Sequence, residues 1–327
     1  MLNYPYTRLR RNRKSVWSRE ICSSIHVNPS DLIYPIFIHD KKENEPIPSL
    51  PNQLRLSLDG VVSIASRAYE LGMPALALFP VIDPSLKDEN GTEALSPNNL
   101  MAKAIDAIKT KVPDIGIIAD VALDPYTIHG HDGIMDGDGH IANDETVEAL
   151  CLMALQLAKA GADAVAPSDM MDGRVISIRE ALEDEGFCNT QIFSYAAKFA
   201  SNFYGPFRGA VGASPLKGLS DKKSYQLDPR DPRTAIEEIR MDVSEGADMV
   251  IIKPGLPYLD IIKEAHQMVN IPILAYHVSG EYAMLKWAAE NGAFNYQDAL
   301  LETMISFKRA GCSGIITYAA MDLATLI

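Results

Sequence analysis

Eight short apolar runs alternate with segments of helical period, and this predicts an α/β chain folded as a closed (β/α)8 TIM barrel. Two further observations support that class. No Asn-Gly or Asp-Gly pair directly joins two of the runs, as a hairpin turn would. Strands separated by helices pair in parallel through right-handed crossovers, and eight of them are enough to close a barrel. An open, doubly wound sheet is the alternative. If it bound a dinucleotide it would show a glycine-rich turn after its first strand, yet Ile38-His39-Asp40-Lys41-Lys42 has no glycine. The chain divides into an extended N-terminal arm, residues 1–30, and a barrel, residues 31–327.

The predicted strands are residues 32–38, 75–79, 116–119, 164–166, 192–195, 249–252, 273–276 and 314–317. Each is a short apolar run, as expected for parallel strands covered on both faces. Amphipathic stretches at 146–160, 232–245, 258–269 and 282–291 predict helices between them. The phrases Lys159-Ala160-Gly161-Ala162-Asp163 and Ser244-Glu245-Gly246-Ala247-Asp248 share one grammar, in which a helix stops at a glycine and a strand begins.

Composition removes several function classes. The net charge of -13 argues against a nucleic-acid partner, which needs clustered Lys and Arg. No apolar run approaches the roughly 18 residues of a membrane span. Arg8, Arg10, Arg11, Arg13 and Lys14 precede the first acidic residue, which predicts a cationic arm that meets an acidic surface on its own domain or a neighbouring subunit. Cys22, Cys151, Cys188 and Cys312 have neither disulfide nor zinc-ligand spacing, so a reducing compartment, by default the cytoplasm, is expected.

Side chains that follow barrel strands converge on one mouth. Lys253 ends the run Met249-Val250-Ile251-Ile252, and Lys198 lies three residues beyond the run 192–195. A buried lysine loses its proton readily, and a neutral amine attacks a carbonyl to form an imine. Two neighbouring ammonium groups depress each other's pKa, which favours one neutral nucleophile beside one cation. The same rule gathers Asp120 and Asp124, Ser168 and Asp169, Tyr276 and Ser279, and Tyr318 at the mouth. The loop after the third strand also holds His129, His131 and Asp132, with oxygen and nitrogen donors for a metal such as magnesium. Between the fifth and sixth strands lies a long connection bearing Phe203-Tyr204-Gly205-Pro206-Phe207-Arg208-Gly209-Ala210, then Lys222, Lys223 and Gln226. Its aromatics, glycines and cations suit a lid over an anionic substrate.

At these residues the chain resembles the porphobilinogen synthase family, also called the 5-aminolevulinate dehydratases. The segments 194–201 and 249–255 resemble its two lysine motifs. The segment Pro167-Ser168-Asp169-Met170-Met171-Asp172-Gly173-Arg174 and the His129-Gly130-His131 loop agree in order and spacing. The resemblance runs from the arginine-rich arm to Tyr318. It implies a barrel whose arm embraces a neighbour, a homo-octamer, and the joining of two 5-aminolevulinate molecules into porphobilinogen with loss of two waters. It implies Lys253 as the imine-forming residue for the first-bound substrate, with Lys198 as a second imine former or an adjacent cation. Ser168, Phe207, Arg208, Lys222, Gln226, Tyr276, Ser279 and Tyr318 match substrate-contacting positions. On that likeness Arg208 and Lys222 bind one substrate carboxylate, and Ser279 with Tyr318 the other. Many members carry arginine in place of Lys222. Zinc-dependent members carry three cysteines where this chain has Ala122, Asp124 and Asp132, so the resemblance is to the aspartate-rich, magnesium-responsive branch, without catalytic zinc. Glu238, with Asp242 one helical turn on, matches that branch's allosteric magnesium position; a solvated helix face is the plainer reading of the pair.

Two other classes compete. Paired histidines after a barrel strand also serve metal-dependent hydrolases, here through His129 and His131. A non-catalytic binding or assembly protein retains the barrel alone.

Overall fold

The structure, a computed structural model, describes residues 3–212 and 221–327. Part of the expected lid, residues 213–220, and the first two residues of the arm lie outside the described residues. Strand β1 (Leu32–Ile38) is followed by a small antiparallel hairpin, β2 (Glu45–Pro46) and β3 (Leu54–Leu56). Seven more strands follow: β4 (Ala75–Pro80), β5 (Gly116–Val121), β6 (Ala164–Pro167), β7 (Gln191–Lys198), β8 (Met249–Lys253), β9 (Ile273–His277) and β10 (Gly314–Thr317). Each of these pairs in parallel with its predecessor, β4 pairing with β1, and β10 returns to β1 with Leu32 opposite Ile315. That closure excludes the open sheet. All eight predicted strands are present and form the barrel.

The hairpin is the part of the sheet that the sequence pattern did not reveal. Strand β1 pairs with β4 along one edge and with β10 only at Leu32 and Ile33 on the other. On that second edge, β3 takes over at Phe37 and Ile38. The hairpin therefore stands above the barrel rim, beside the mouth.

The helices are α1 (Val16–Cys22) in the arm, α2 (Leu58–Glu70), α3 (Leu100–Lys111), α4 (Asn143–Lys159), α5 (Arg174–Asp184) and α6 (Gly205–Ala210). They continue as α7 (Pro232–Ser244), α8 (Leu259–Met268), α9 (Ser279–Glu290), α10 (Tyr296–Ala310) and α11 (Ala320–Ala324). Ser57, Asn99, Asp231 and Asn295 cap α2, α3, α7 and α10 by accepting first-turn N–H groups. Gly161 and Gly246 adopt φ of 100° and 103°, which confirms the helix-stop grammar, since only glycine enters this region without strain. Helix α9 starts at Ser279, earlier than its apolar period indicates, because Glu281 accepts the Val278 N–H and draws the first turn into the helix.

Two expectations change. Strand β7 does not end at residue 195 but runs to Lys198, so that lysine lies in the strand. Asp242 does not share a solvated face with Glu238. It is 2% exposed and pairs with the fully buried Arg174, whose Nη2 and Nη1 lie 3.0 and 3.3 Å from its oxygens. Ser194 Oγ donates to the same carboxylate at 2.5 Å, and Asp169 stands 3.7 Å from Arg174 Nε. The pair ties α5 and α7 to β7 beneath the mouth.

Removing one member of a buried ion pair strands the other, whereas replacing both by apolar groups is tolerated. Arg174→Met should lose about 3–5 kcal/mol of stability in urea unfolding. Arg174→Met with Asp242→Leu should recover most of that loss. Equal losses in the two variants would contradict this account.

Candidate active site

A bulge in β7 sets the geometry of the site. Ser194 lies opposite Val250, but three residues later Ala197 lies opposite Ile252, so β7 spends one extra residue. The shift brings Lys198 directly opposite Lys253. Paired strands run about 4.8 Å apart, so the two lysine stems rise side by side. They are 6% and 5% exposed.

Their environments differ. Lys253 Nζ lies among rings, 4.6 Å from the centroid of Tyr276, 5.0 Å from those of Tyr195 and Phe207, and 5.5 Å from that of Tyr204. Tyr204 also donates its hydroxyl to the carbonyls of Phe199 and Lys253, which holds the ends of both strands. Burial first, and then the neighbouring Lys198 ammonium, push the Lys253 amine down to about 7. Lys198 instead donates to Asp132 Oδ1 at 3.2 Å and to the Ser168 carbonyl. The sequence reading of one neutral amine beside one cation matches this asymmetry.

Carboxylates line the opposite wall. Burial raises the Asp120 carboxyl to about 7, helped by Asp124 and opposed by Lys253 and Lys198. Burial also works against the charge on Asp132, but the Lys198 and Lys222 ammonium groups outweigh it and hold this carboxyl below its usual range. Lys222 bridges the loop, 3.3 Å from Asp124 Oδ2 and 3.0 Å from Asp132 Oδ2.

Tyr276 and Tyr318 share a hydrogen bond of 3.0 Å between their hydroxyls, and Phe37 stacks on Tyr318. Helix α6 roofs this corner. The Phe207 ring lies 5.6 and 5.5 Å from Phe37 and Phe79, and its N–H donates to Ser279 Oγ at 3.0 Å. Arg208, on the same helix, is exposed, and its charge acts on the nearby Tyr204. Gln226 is buried, and its backbone N–H donates to the Lys222 carbonyl at 2.9 Å. Of the expected site residues, Ser168, Lys198, Phe207, Lys222, Lys253, Tyr276, Ser279, Tyr318, Asp124 and Asp132 thus gather at the mouth, whereas Gln226 lines a neighbouring cavity.

The histidine loop is tied to its surroundings by hydrogen bonds. His129 Nε2 meets the Glu89 carbonyl at 3.0 Å, and its Nδ1 accepts the His131 N–H at 3.2 Å. His131 Nδ1 meets the Tyr225 hydroxyl at 3.0 Å. Among the described residues, no group of three His, Cys, Asp or Glu converges as a metal site. Glu238 lies outside the mouth on a cavity of about 480 Å3, with Asp172, Asn143, His140, Tyr225 and Gln226. Burial raises its carboxyl.

Sequence reasoning missed the residues that hold the roof. Arg55 of β3 donates to the carbonyls of Ala210 and Gly209, at 2.8 and 2.6 Å. Ser49 donates to the Pro206 carbonyl at 3.0 Å, and Lys87 to that of Gly212 at 3.1 Å. Nothing in the periodicity marks a hairpin of this size. Lys87 follows the second barrel strand and could have been found by the strand-end rule that found Lys253.

Fold and site together define a (β/α)8 barrel enzyme with two buried lysines side by side at the strand C-termini, the residue type that forms imines with carbonyl substrates. Comparison with known proteins narrows the class. The profile of the delta-aminolevulinic acid dehydratase family matches residues 6–326, and the chain belongs to that family. It is 50% identical over 319 residues to the delta-aminolevulinic acid dehydratase of Bradyrhizobium diazoefficiens, covering 97% of this chain and 90% of that protein. With the Rhodobacter capsulatus enzyme of the same name it shares 46% identity, over 99% of this chain and 97% of the other. The crystal structure of the Toxoplasma gondii enzyme (porphobilinogen synthase), in complex with the reaction product porphobilinogen, superposes with a TM-score of 0.96 at 48% identity. That match covers 98% of this chain and 91% of the other.

Acetic anhydride labels only neutral amines. Labelling of Lys253 should therefore reach its half-maximum near pH 7, where burial has moved its amine. Lys198→Met should move the midpoint upward, because the lost ammonium no longer opposes protonation of Lys253. A midpoint near the ordinary lysine value of about 10.4 in the native chain would contradict this.

Proposed function

We propose that the chain is a porphobilinogen synthase, a hydro-lyase of tetrapyrrole (heme and chlorophyll) synthesis, joining two 5-aminolevulinate molecules into porphobilinogen and releasing two waters. The observation that carries this reading is the direct pairing of Lys198 with Lys253 in a buried, ring-lined mouth. Lys253, neutral near pH 7, attacks the ketone carbon of the first substrate. The carbinolamine loses water, and the imine raises both the electrophilicity of that carbon and the acidity of the adjacent C–H. Asp120, with a carboxyl near 7, is matched to accept and return protons at neutral pH. Lys198, ion-paired with Asp132, serves as the adjacent cation and proton carrier.

Carboxylate recognition follows from the walls. The hydroxyls of Ser279 and Tyr318 face one substrate carboxylate, once Ser279 turns its proton away from the Phe203 carbonyl. Lys222 takes the other by exchanging Asp124 for the ligand, with Arg208 turning in from α6. Ser168, Phe207 and Tyr276 line the remainder. As a single ammonium, Lys222 gives a point-charge contact where an arginine would give a fork.

Magnesium is proposed as an allosteric effector at Glu238. The donors fit a hard cation that keeps most of its water, since Glu238 has Asp172 beside it on an open polar cavity. The mouth loop offers carboxylates and an ammonium, a donor set unsuited to zinc. A homo-octamer is proposed on the arm, where Tyr6 and Trp17 are 84% and 69% exposed, as side chains awaiting a second copy would be. Among the described residues, no helix is long and apolar enough to cross a membrane. The cytoplasm is the proposed compartment, on the four free cysteines, although the Glycine max and Arabidopsis thaliana relatives are named chloroplastic.

Borohydride reduction with 5-aminolevulinate should attach substrate to Lys253, seen by peptide mass spectrometry. Lys253→Met should abolish both the adduct and turnover. An active chain with no adduct on Lys253 would defeat the mechanism. Glu238→Ala should remove magnesium stimulation and shift oligomer size in sedimentation, leaving imine formation at Lys253 intact. Unchanged stimulation and size would refute the effector site.

A further inference from the structure

Glu281 has no place in the chemistry above, yet it is 1% exposed and lies at the rim of the mouth, in the first turn of α9. Its Oε1 accepts the Leu256 N–H at 2.6 Å, and its Oε2 accepts the Val278 N–H at 2.5 Å. The Gly255 N–H donates to it as well. Burial pushes this carboxyl up to about 8, opposed by these backbone donors, with no lysine or arginine among the groups that act on it. Leu256 follows Lys253 by three residues, and Val278 lies between Tyr276 and Ser279. The two turns are also close in space. A Cβ on Gly255 would lie 3.1 Å from the Tyr276 carbonyl oxygen and 2.5 Å from the Phe307 ring.

We propose that Glu281 is a positioning residue for the imine-forming step, tying the turn after Lys253 to the turn that presents Ser279. The inference rests on the function proposed above. One carboxyl group with two oxygens spans both turns, so nucleophile and carboxylate-binding hydroxyl move as one frame. A glutamine keeps the volume but turns one acceptor into an NH2 donor facing a backbone N–H. One turn is then released, and the Lys253 stem relaxes away from its ring cage toward water. The ionisable neighbours of Lys253, namely Lys198, Asp120, Asp124 and Asp132, stay unchanged in this variant.

The test combines three measurements on the full-length assembly. Glu281→Gln should lower kcat by about a hundredfold, with KM changed far less, as expected for a sub-ångström to ångström misplacement of a reacting group. The acetic anhydride midpoint of Lys253 should rise with it, which a general loss of stability would not produce. In the unsubstituted protein, hydrogen exchange at Leu256 and Val278 should be slow and matched, a readout independent of how well the variant folds. A Glu281→Gln enzyme with native kcat and midpoint would overturn the proposal, as would rapid exchange at either amide. The functional reading is checked separately, since borohydride trapping of 5-aminolevulinate on the unsubstituted protein does not depend on Glu281.

Discussion

The removal of water from around one amine is the constraint on which this site depends. Lys253 is held under rings contributed by β7, α6 and β9, and its neutral form is the state that the burial favours. Everything charged nearby is placed with respect to that requirement. Lys198 adds a repulsive neighbour that lowers the Lys253 amine further, and Asp132 pairs with Lys198. Lys222 in turn neutralises the loop carboxylates. Two equally buried residues with the same side chain thus differ in their partners, a carboxylate for one and rings for the other.

The scaffold explains how such an arrangement is held. Barrel closure gives each strand two neighbours, so the extra residue in β7 cannot be relaxed by fraying and must be accommodated at the rim. Beneath it, the Arg174–Asp242 pair with Ser194 links β7 to α5 and α7. The same α7 carries Glu238 toward the outer cavity. Helix α7 therefore borders the outer cavity at Glu238 and reaches the lysine-bearing strand through the buried Asp242 cluster.

Much of this was legible in the chain. Lys253 announces itself because a charge ending a buried run is rarely incidental, and the mouth rule then collected Ser168, Asp124, Tyr276, Ser279 and Tyr318 from distant segments. What stayed hidden depends on pairing across long separations. The β7 bulge is invisible without its partner strand, so Lys198 seemed to follow a strand that in fact contains it. Asp242 reads as an ordinary surface position one turn from Glu238, because its partner Arg174 is 68 residues away. Lys222 was placed against a ligand by likeness, whereas its partners in the chain, Asp124 and Asp132, come from another loop. The β2–β3 hairpin is too short to carry a period, so Arg55 and Ser49 gave no signal.

The grip on α6 has a consequence for how this architecture can be altered. Arg55, Ser49 and Lys87 all hold the roof by its main-chain carbonyls. Attachment of that kind does not depend on the identity of the residues it holds. The exposed side chain at position 208 is thereby uncoupled from anchoring, whereas the Phe207 ring is packed into the cage, so remodelling position 208 to admit a bulkier keto acid need not loosen the cover that keeps solvent out.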